Sequence, residues 1–299
     1  MRPQIALCGL LLAMQAVGSY AEDLLRKVVD LEGIQRIVFN GAAELVVSQG
    51  DKESLVITAS KPMQDRIHVA QKGSSLRLET REALWGFFDF DTRVRFEVTM
   101  SEIKAISAYG SGPVSVSDIQ GSSITLKHLG SGAMSLGDII VKELELKMAG
   151  SGDFSAQKMT AEEVELEAAG SGDIAIDTVI ADELDIEMAG TTDLNLNRFS
   201  GDELEIELAG ACNVEIADVG EVVEQDIVIN GSGKYSAPGL QSRFADIEIS
   251  GSTHVVVYVT EELQVEASGA ADVRYYGAPR VEAHTSGASK VISLSKPRS

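Results

Sequence analysis

One repeated motif restricts what this chain can fold into. Gly-(Ser/Thr/Ala)-x-x-(apolar) begins at Gly110, Gly130, Gly150, Gly170, Gly190, Gly210, Gly231, Gly251, Gly269 and Gly287, at intervals of 18 to 21 residues. Its clearest copy is Ala168-Ala-Gly-Ser-Gly-Asp-Ile174. A fixed period of this length belongs to a stack of equivalent units, each burying its apolar side only against its neighbours.

Alignment at 20 residues exposes the columns of that stack. Before the glycine run Leu144, Val164, Leu184 and Leu204, then Leu146, Leu166, Ile186 and Ile206, then Met148, Ala168, Met188 and Leu208. After it run Met134, Phe154, Ile174, Leu194 and Val214, then Leu136, Ala156, Ile176, Leu196 and Ile216, then Ile139, Met159, Val179, Phe199 and Val219. Six apolar columns per repeat therefore face one interior. Alternation with period 2 and frequent glycine exclude helices. Hairpin meanders would also alternate, but would not keep one column apolar through five consecutive repeats. The pattern predicts an all-β parallel β-helix, a solenoid with coils of about 20 residues: a strand, a Gly-Ser-Gly corner, a second strand, and a small-residue corner at Ala161, Ala181 or Gly201. Ten coils at about 4.8 Å each make a rod on the order of 50 Å long.

Residues 22–109 form a strand-rich N-terminal part of the same solenoid, out of phase with the regular repeats of 110–299. Ile34–Phe39, Leu55–Ala59, Leu76–Thr80 and Arg93–Thr99 alternate or run apolar, and Asn40-Gly41 is a turn dipeptide. Between the last two strands lies an aromatic loop with Trp85, Phe87, Phe88 and Phe90. Clustered aromatics in a loop cap an open end of the stack, or anchor a partner.

Residues 1–21 read as a secretory signal peptide. Arg2 supplies the positive start, Ile5–Met14 the short apolar run, and Ser19-Tyr-Ala21 the small residues of a cleavage site. Cys8 lies too early in that run to be an acylation site. Removing this leader takes away one arginine and moves the net charge from −21 to −22, a surface that repels nucleic acid. No other apolar stretch reaches membrane-spanning length. Cys212 is the one cysteine left, so no intrachain disulfide forms and stability comes from packing.

The outward positions carry ladders of carboxylates: Glu143, Glu163, Glu183 and Glu203; Glu145, Glu165, Asp185 and Glu205; Glu167, Glu187 and Glu207 after Lys147. Like charges stacked on neighbouring strands repel. Either water and salt screen them, or divalent cations bridge them weakly, with Glu163, Glu165, Glu183, Asp185, Glu203 and Glu205 as the ligand ladder; regular oxygen ligands suit Ca²⁺ better than zinc or copper. A second acidic line, Asp153, Asp173 and Asp193, follows the corner and reads as turn chemistry. Every carboxylate has a near copy one coil away, so no pair is marked as a catalytic acid and base. His128 falls in the inward column of Met148 and reads as a core histidine; Cys212 replaces a corner glycine. No nucleophile elbow, phosphate loop or His-Glu-x-x-His occurs, and no catalytic residue or cofactor is expected.

Ile34-x-x-Ile37-Val-Phe-Asn-Gly41, the segment Leu45-Val-Val-Ser-Gln-Gly-Asp51, and the repeated Gly-Ser-Gly corners after alternating strands complete a recognisable order. With them, residues 34–293 resemble the putative auto-transporter adhesin head, GIN domain family of bacteria. The resemblance implies a right-handed parallel β-helix, export to the periplasm or cell surface, an adhesin-like role and no catalytic residues. After Ser293 only Leu-Ser-Lys-Pro-Arg-Ser follows, so no membrane barrel for self-export is expected. The function expected is a non-enzymatic envelope protein binding glycan, protein or another copy of itself. Rival readings are a polysaccharide lyase or hydrolase on the same scaffold, and a purely structural spacer.

Overall fold

The computed structural model describes residues 24–80 and 94–294. The leader expected at 1–21 and the aromatic residues Trp85, Phe87, Phe88 and Phe90 lie outside the described residues. Among those described, the chain is a β-solenoid with parallel pairings about 20 residues apart, and one short helical turn, Lys61–Gln64. Strand Glu163–Gly170 pairs in parallel with Glu143–Gly150 on one side and Glu183–Gly190 on the other, in register over all 8 residues. These strands and their successors, through Arg280–Thr285, form one long sheet face, here called face A. The first parts of Phe154–Thr160, Asp173–Ile180, Asp193–Ser200 and their successors, up to the bend that follows, form face B.

Six inward columns are filled as the periodicity predicts, with Leu144, Leu146, Met148, Phe154, Ala156 and Met159 buried in one coil. The number of bends differs from expectation. Alternation breaks at three places per coil, where consecutive residues are both exposed: Lys142 and Glu143, Gly150 and Ser151, Gln157 and Lys158. Each coil therefore turns three times, and the second strand wraps across two sides of a three-sided rod.

The N-terminal part is out of phase because it is stacked out of sequence order. Ser75–Thr80 and Val94–Met100 pair in parallel beneath Arg36–Gly41 and Glu44–Gln49, while Ala105–Gly110 pairs on the opposite edge of Arg36–Gly41. The chain thus lays one coil, drops below it, and returns above it. Among the described residues, three antiparallel pairings finish this end: Ile67–Lys72 on Ser75–Thr80, Ser54–Ser60 on Val94–Met100, and Leu24–Asp30 on Ser54–Ser60. Strands that reverse direction stop parallel coils from propagating further, which limits edge pairing.

One expected core residue is not in the core. Val219 is 74% exposed. Leu196 pairs with Ile216, 20 residues on, but Glu203 pairs with Glu224, 21 residues on, so one extra residue lies between Ile216 and Glu224 and displaces Val219 outward. The same slip puts Gln225 in the inward column of Leu204 and Leu263. There the Tyr235 hydroxyl donates to Gln225 Oε1 at 2.6 Å, while Gln225 Nε2 is buried without a partner. Complete burial pushes the Tyr235 phenol far up, so it is always the donor. Tyr235→Phe orphans the Gln225 carbonyl as well and should cost about 1–3 kcal/mol in denaturant unfolding. Adding Gln225→Leu should recover most of that loss, because the column is otherwise apolar. If the double variant is as unstable as the single, the buried pair contributes by packing rather than by hydrogen bonding.

Candidate binding face

Face A collects the carboxylates. Glu143, Glu163, Glu183, Glu203 and Glu224 stack residue upon residue, and beside them Glu145, Glu165, Asp185, Glu205 and Asp226. A third column runs Lys147, Glu167, Glu187 and Glu207. Neighbours within a column are about 4.8 Å apart, the spacing of adjacent strands. The charge is concentrated: residues 111–232 hold 25 acids and 5 lysines or arginines, nearly all of the net charge of −21. The ladder also extends past the alignable repeats, through Asp246, Glu248, Glu262 and Glu266. The 21-residue coil hides this continuation from a 20-residue alignment.

Lys147, with Lys127 stacked beside it in the same column, serves the near end. Lys147 Nζ lies 2.7 Å from Glu167, 3.0 Å from Glu145 and 3.7 Å from Glu165. Its hydrogen bonds to Glu167 and Glu145 hold the ammonium protonated well above its ordinary range. In return they hold the Glu145 and Glu167 carboxyls below theirs. Glu165 moves the other way, chiefly through its hydrogen bond with Glu167 and then by burial.

One coil further on the compensation ends. Among the described residues, no lysine, arginine or histidine pairs with Glu183, Asp185, Glu203, Glu205, Glu224 or Asp226. Asp185 Oδ1 is buried with no hydrogen-bond partner. Burial, with Glu183 and Glu205 alongside, pushes the Asp185 carboxyl up to about 6. Burial, with Glu224 and Asp246, does the same to Asp226, also to about 6. Glu183 is raised too, first by burial and then by Glu203 and Glu163. The shifted groups recur along one face from shared causes. No pair is set apart as acid and base.

The ladder residues Glu163, Glu165, Glu183, Asp185, Glu203 and Glu205 are brought side by side, but not to a point. Among the described residues no three His, Cys, Asp or Glu side chains are grouped to hold a metal ion. The corner acids do something more specific than close their own turns. Asp153 Oδ1 accepts from the Asp173 backbone N–H at 3.1 Å, and Asp193 Oδ1 accepts from Asn213 Nδ2 at 2.7 Å, tying coil to coil. His128 is buried between Ala108 and Met148, its Nε2–H donating to Gly132 O at 2.5 Å and its Nδ1 without a partner. Cys212 is fully buried, and burial pushes its thiol up, which makes it inert.

A feature not singled out in the sequence lies beside the ladder. Ala149, Ala169, Ala189 and Ala209, one before each corner glycine, floor a groove of about 420 Å³ walled by Lys147, Glu167, Glu187 and Glu207. The aligned alanines were its available signal. Face A thus offers a long strip with an apolar floor and an anionic wall.

The model of a family described as putative auto-transporter adhesin, head GIN domain, matches residues 34–217 and 160–279. Its two overlapping matches reflect the internal repeat. No curated protein matches the chain. Among solved structures, a putative adhesin from Parabacteroides merdae is 16% identical, covering 92% of this chain and 97% of its own, with a TM-score of 0.55. A putative lipid binding protein from Parabacteroides distasonis is 20% identical over 92% of this chain and 98% of its own, with a TM-score of 0.54. A putative adhesin from the same species is 16% identical over the same shares, with a TM-score of 0.51. At these identities the likeness is one of fold.

Proposed function

The chain belongs to the putative auto-transporter adhesin, head GIN domain family, and from that membership we propose that it is an exported, non-catalytic binding rod of the bacterial cell envelope, with face A as its contact surface. The observation that carries this reading is the uncompensated run from Glu183 to Asp226. A reaction centre needs a few groups made different from their neighbours. Face A instead repeats one group, coil after coil, as suits an extended partner held by many weak contacts. The partner that fits an anionic wall over an apolar floor is a glycan or protein carrying positive charge.

Retention of the purified protein on immobilised chitosan and on a lysine-rich protein tests this. The expected result is binding at low salt, weakened roughly ten-fold or more by Glu183→Gln, Glu203→Gln and Glu205→Gln combined. Equal retention of the triple variant removes face A from the reading. Release of unsaturated or reducing-end product from a polysaccharide panel would instead make the chain an enzyme.

A further inference from the structure

Face B carries charge unevenly along the rod. Its first outward column runs Asp173, Asp193, Asn213, Lys234, His254, Asp272, Lys290, acidic at one end and mainly basic at the other. Asp272, the acid of this column's basic end, lies 2.8 Å from Arg274 Nη2, 3.6 Å from Lys290 Nζ and 3.7 Å from His254 Nδ1, one acid among three bases. The next column runs Ala175, Asn195, Glu215, Ser236, Val256, Arg274, Ile292. Size follows the same gradient. The acidic end has a groove of about 470 Å³ over Ala175, Asn195 and Ala217. The basic end has Tyr258 and Tyr276, ring centroids 6.4 Å apart, standing where the groove would continue.

We propose that face B is the interface of a two-fold homodimer in which two rods lie side by side and antiparallel. An axis parallel to the strands, midway between the strands bearing Lys234 and His254, keeps every residue's place along its strand and reverses the order of the coils. Counting outward from that axis, Arg274 of one copy meets Glu215 of the other, Lys290 meets Asp193, and Asn213 meets Asp272. Tyr276 falls over Ala217, so a bulky residue enters the groove. Lys234, 3.7 Å from Glu215 of its own chain, meets His254, 3.7 Å from Asp272 of its own chain, so each base brings an acid to the axis. An isologous interface makes each of these meetings twice. A second copy fits better than another anionic partner because both rods share one coil spacing, about 4.8 Å, so the pairs stay matched along the whole face. The dimer leaves both carboxylate faces outward and does not depend on what face A binds.

Sedimentation equilibrium of the purified protein, with helical and strand content checked by circular dichroism, tests the interface. The expected result is a dimer at low ionic strength whose dissociation constant rises roughly ten-fold or more at high salt. Glu215→Arg and Arg274→Glu should each weaken the dimer roughly ten-fold or more, and the double exchange should restore it, since both pairs are rebuilt with reversed sign. Arg274 and Lys290 both also hold Asp272 within their own chain, at 2.8 and 3.6 Å, so Asp193→Lys with Lys290→Glu repeats the exchange at a second pair where that intrachain contact is the weaker. A monomer at every salt concentration overturns the proposal, as does a dimer that neither exchange affects. A monomer that binds polygalacturonate through Arg274 and Lys290 also overturns it, and gives the basic end to an acidic glycan.

Discussion

Gly170→Val is expected to leave no stably folded protein, whereas Ile174→Val, four residues along the same coil, should cost about 0.5–1.5 kcal/mol. Ile174 is fully buried, but removing one methylene leaves a small gap in a core built from many equivalent columns. Gly170 sits at φ +143°, and a Cβ built on it would lie 1.9 Å from the carbonyl oxygen of Gly150 and 2.9 Å from its carbonyl carbon. That obstruction is backbone of the coil beneath, and Gly150 stands in turn on Gly130. Relief would require lifting one coil off the next, which breaks the ladder on both sides. Backbone strain at such a φ adds about 1–3 kcal/mol. Together these exceed about 4 kcal/mol, the range in which single changes are exceptional.

Gly172→Ala should fall between the two. Its Cβ would lie 2.1 Å from Gly152 O, yet Gly172 needs no positive φ, and in later coils Thr192 and Cys212 fill the equivalent inward position. The corner can therefore adjust there, at a cost, but not at the preceding glycine. Thermal unfolding ranks Gly172→Ala against Ile174→Val, and the absence of a cooperative transition in Gly170→Val places it last. Equal losses for Gly170→Val and Ile174→Val would mean that the corner glycines are not what holds the coils in contact.

Period and columns were legible in the chain because every coil repeats the same physical problem, and so leaves the same residue types at the same offset. Leu166, Ile186 and Ile206, or Glu163, Glu183 and Glu203, fall on one face by the sequence period alone. The stacking of Ser75–Thr80 beneath Arg36–Gly41 could not, because both are ordinary alternating strands and nothing local says which edge of a strand is taken first. The third bend was hidden for a similar reason: two consecutive polar residues such as Gln157 and Lys158 look like a surface strand until burial shows both pointing outward. Val219 misled because one inserted residue reverses inside and outside over a short span, the effect of any single-residue slip in a strand. On the binding face the carboxylates were visible, but their electrostatic difference was not. Lys147 relieves one end, and only distances reveal that its reach stops at Glu165 and Glu167.

That missing cation makes the protein gain stability as the solution is acidified from neutrality, the reverse of ordinary acid denaturation. Asp185 and Asp226 have folded-state values of about 6 against ordinary values of 3.8. The folded chain therefore binds more protons than the unfolded one between those limits. Stability must fall as pH rises through that window and level off above it. An unscreened shift of this size corresponds to about 3 kcal/mol per group, but both carboxyls are only half-buried, so solvent screening reduces it to on the order of 1 kcal/mol each. Glu145, Glu167 and Asp272, held low by Lys147 or Arg274, act oppositely, and their contribution is lost only as pH drops below about 4. The melting temperature at low ionic strength should accordingly rise by roughly 4–8 °C between pH ~7.5 and ~5, then fall on further acidification. Asp185→Asn should remove about half of the rise and raise stability at neutral pH. Added salt should flatten the profile, since the repulsion is between partly exposed charges. Calcium and sodium at matched ionic strength then separate screening from bridging: equal shifts mean counter-ions spread along face A, and a calcium-specific rise means the stacked carboxylates hold the ion. A melting temperature that falls steadily from neutral to acidic pH would show that the ladder is already relieved by its solvent, and that Asp185 and Asp226 titrate like free carboxyls.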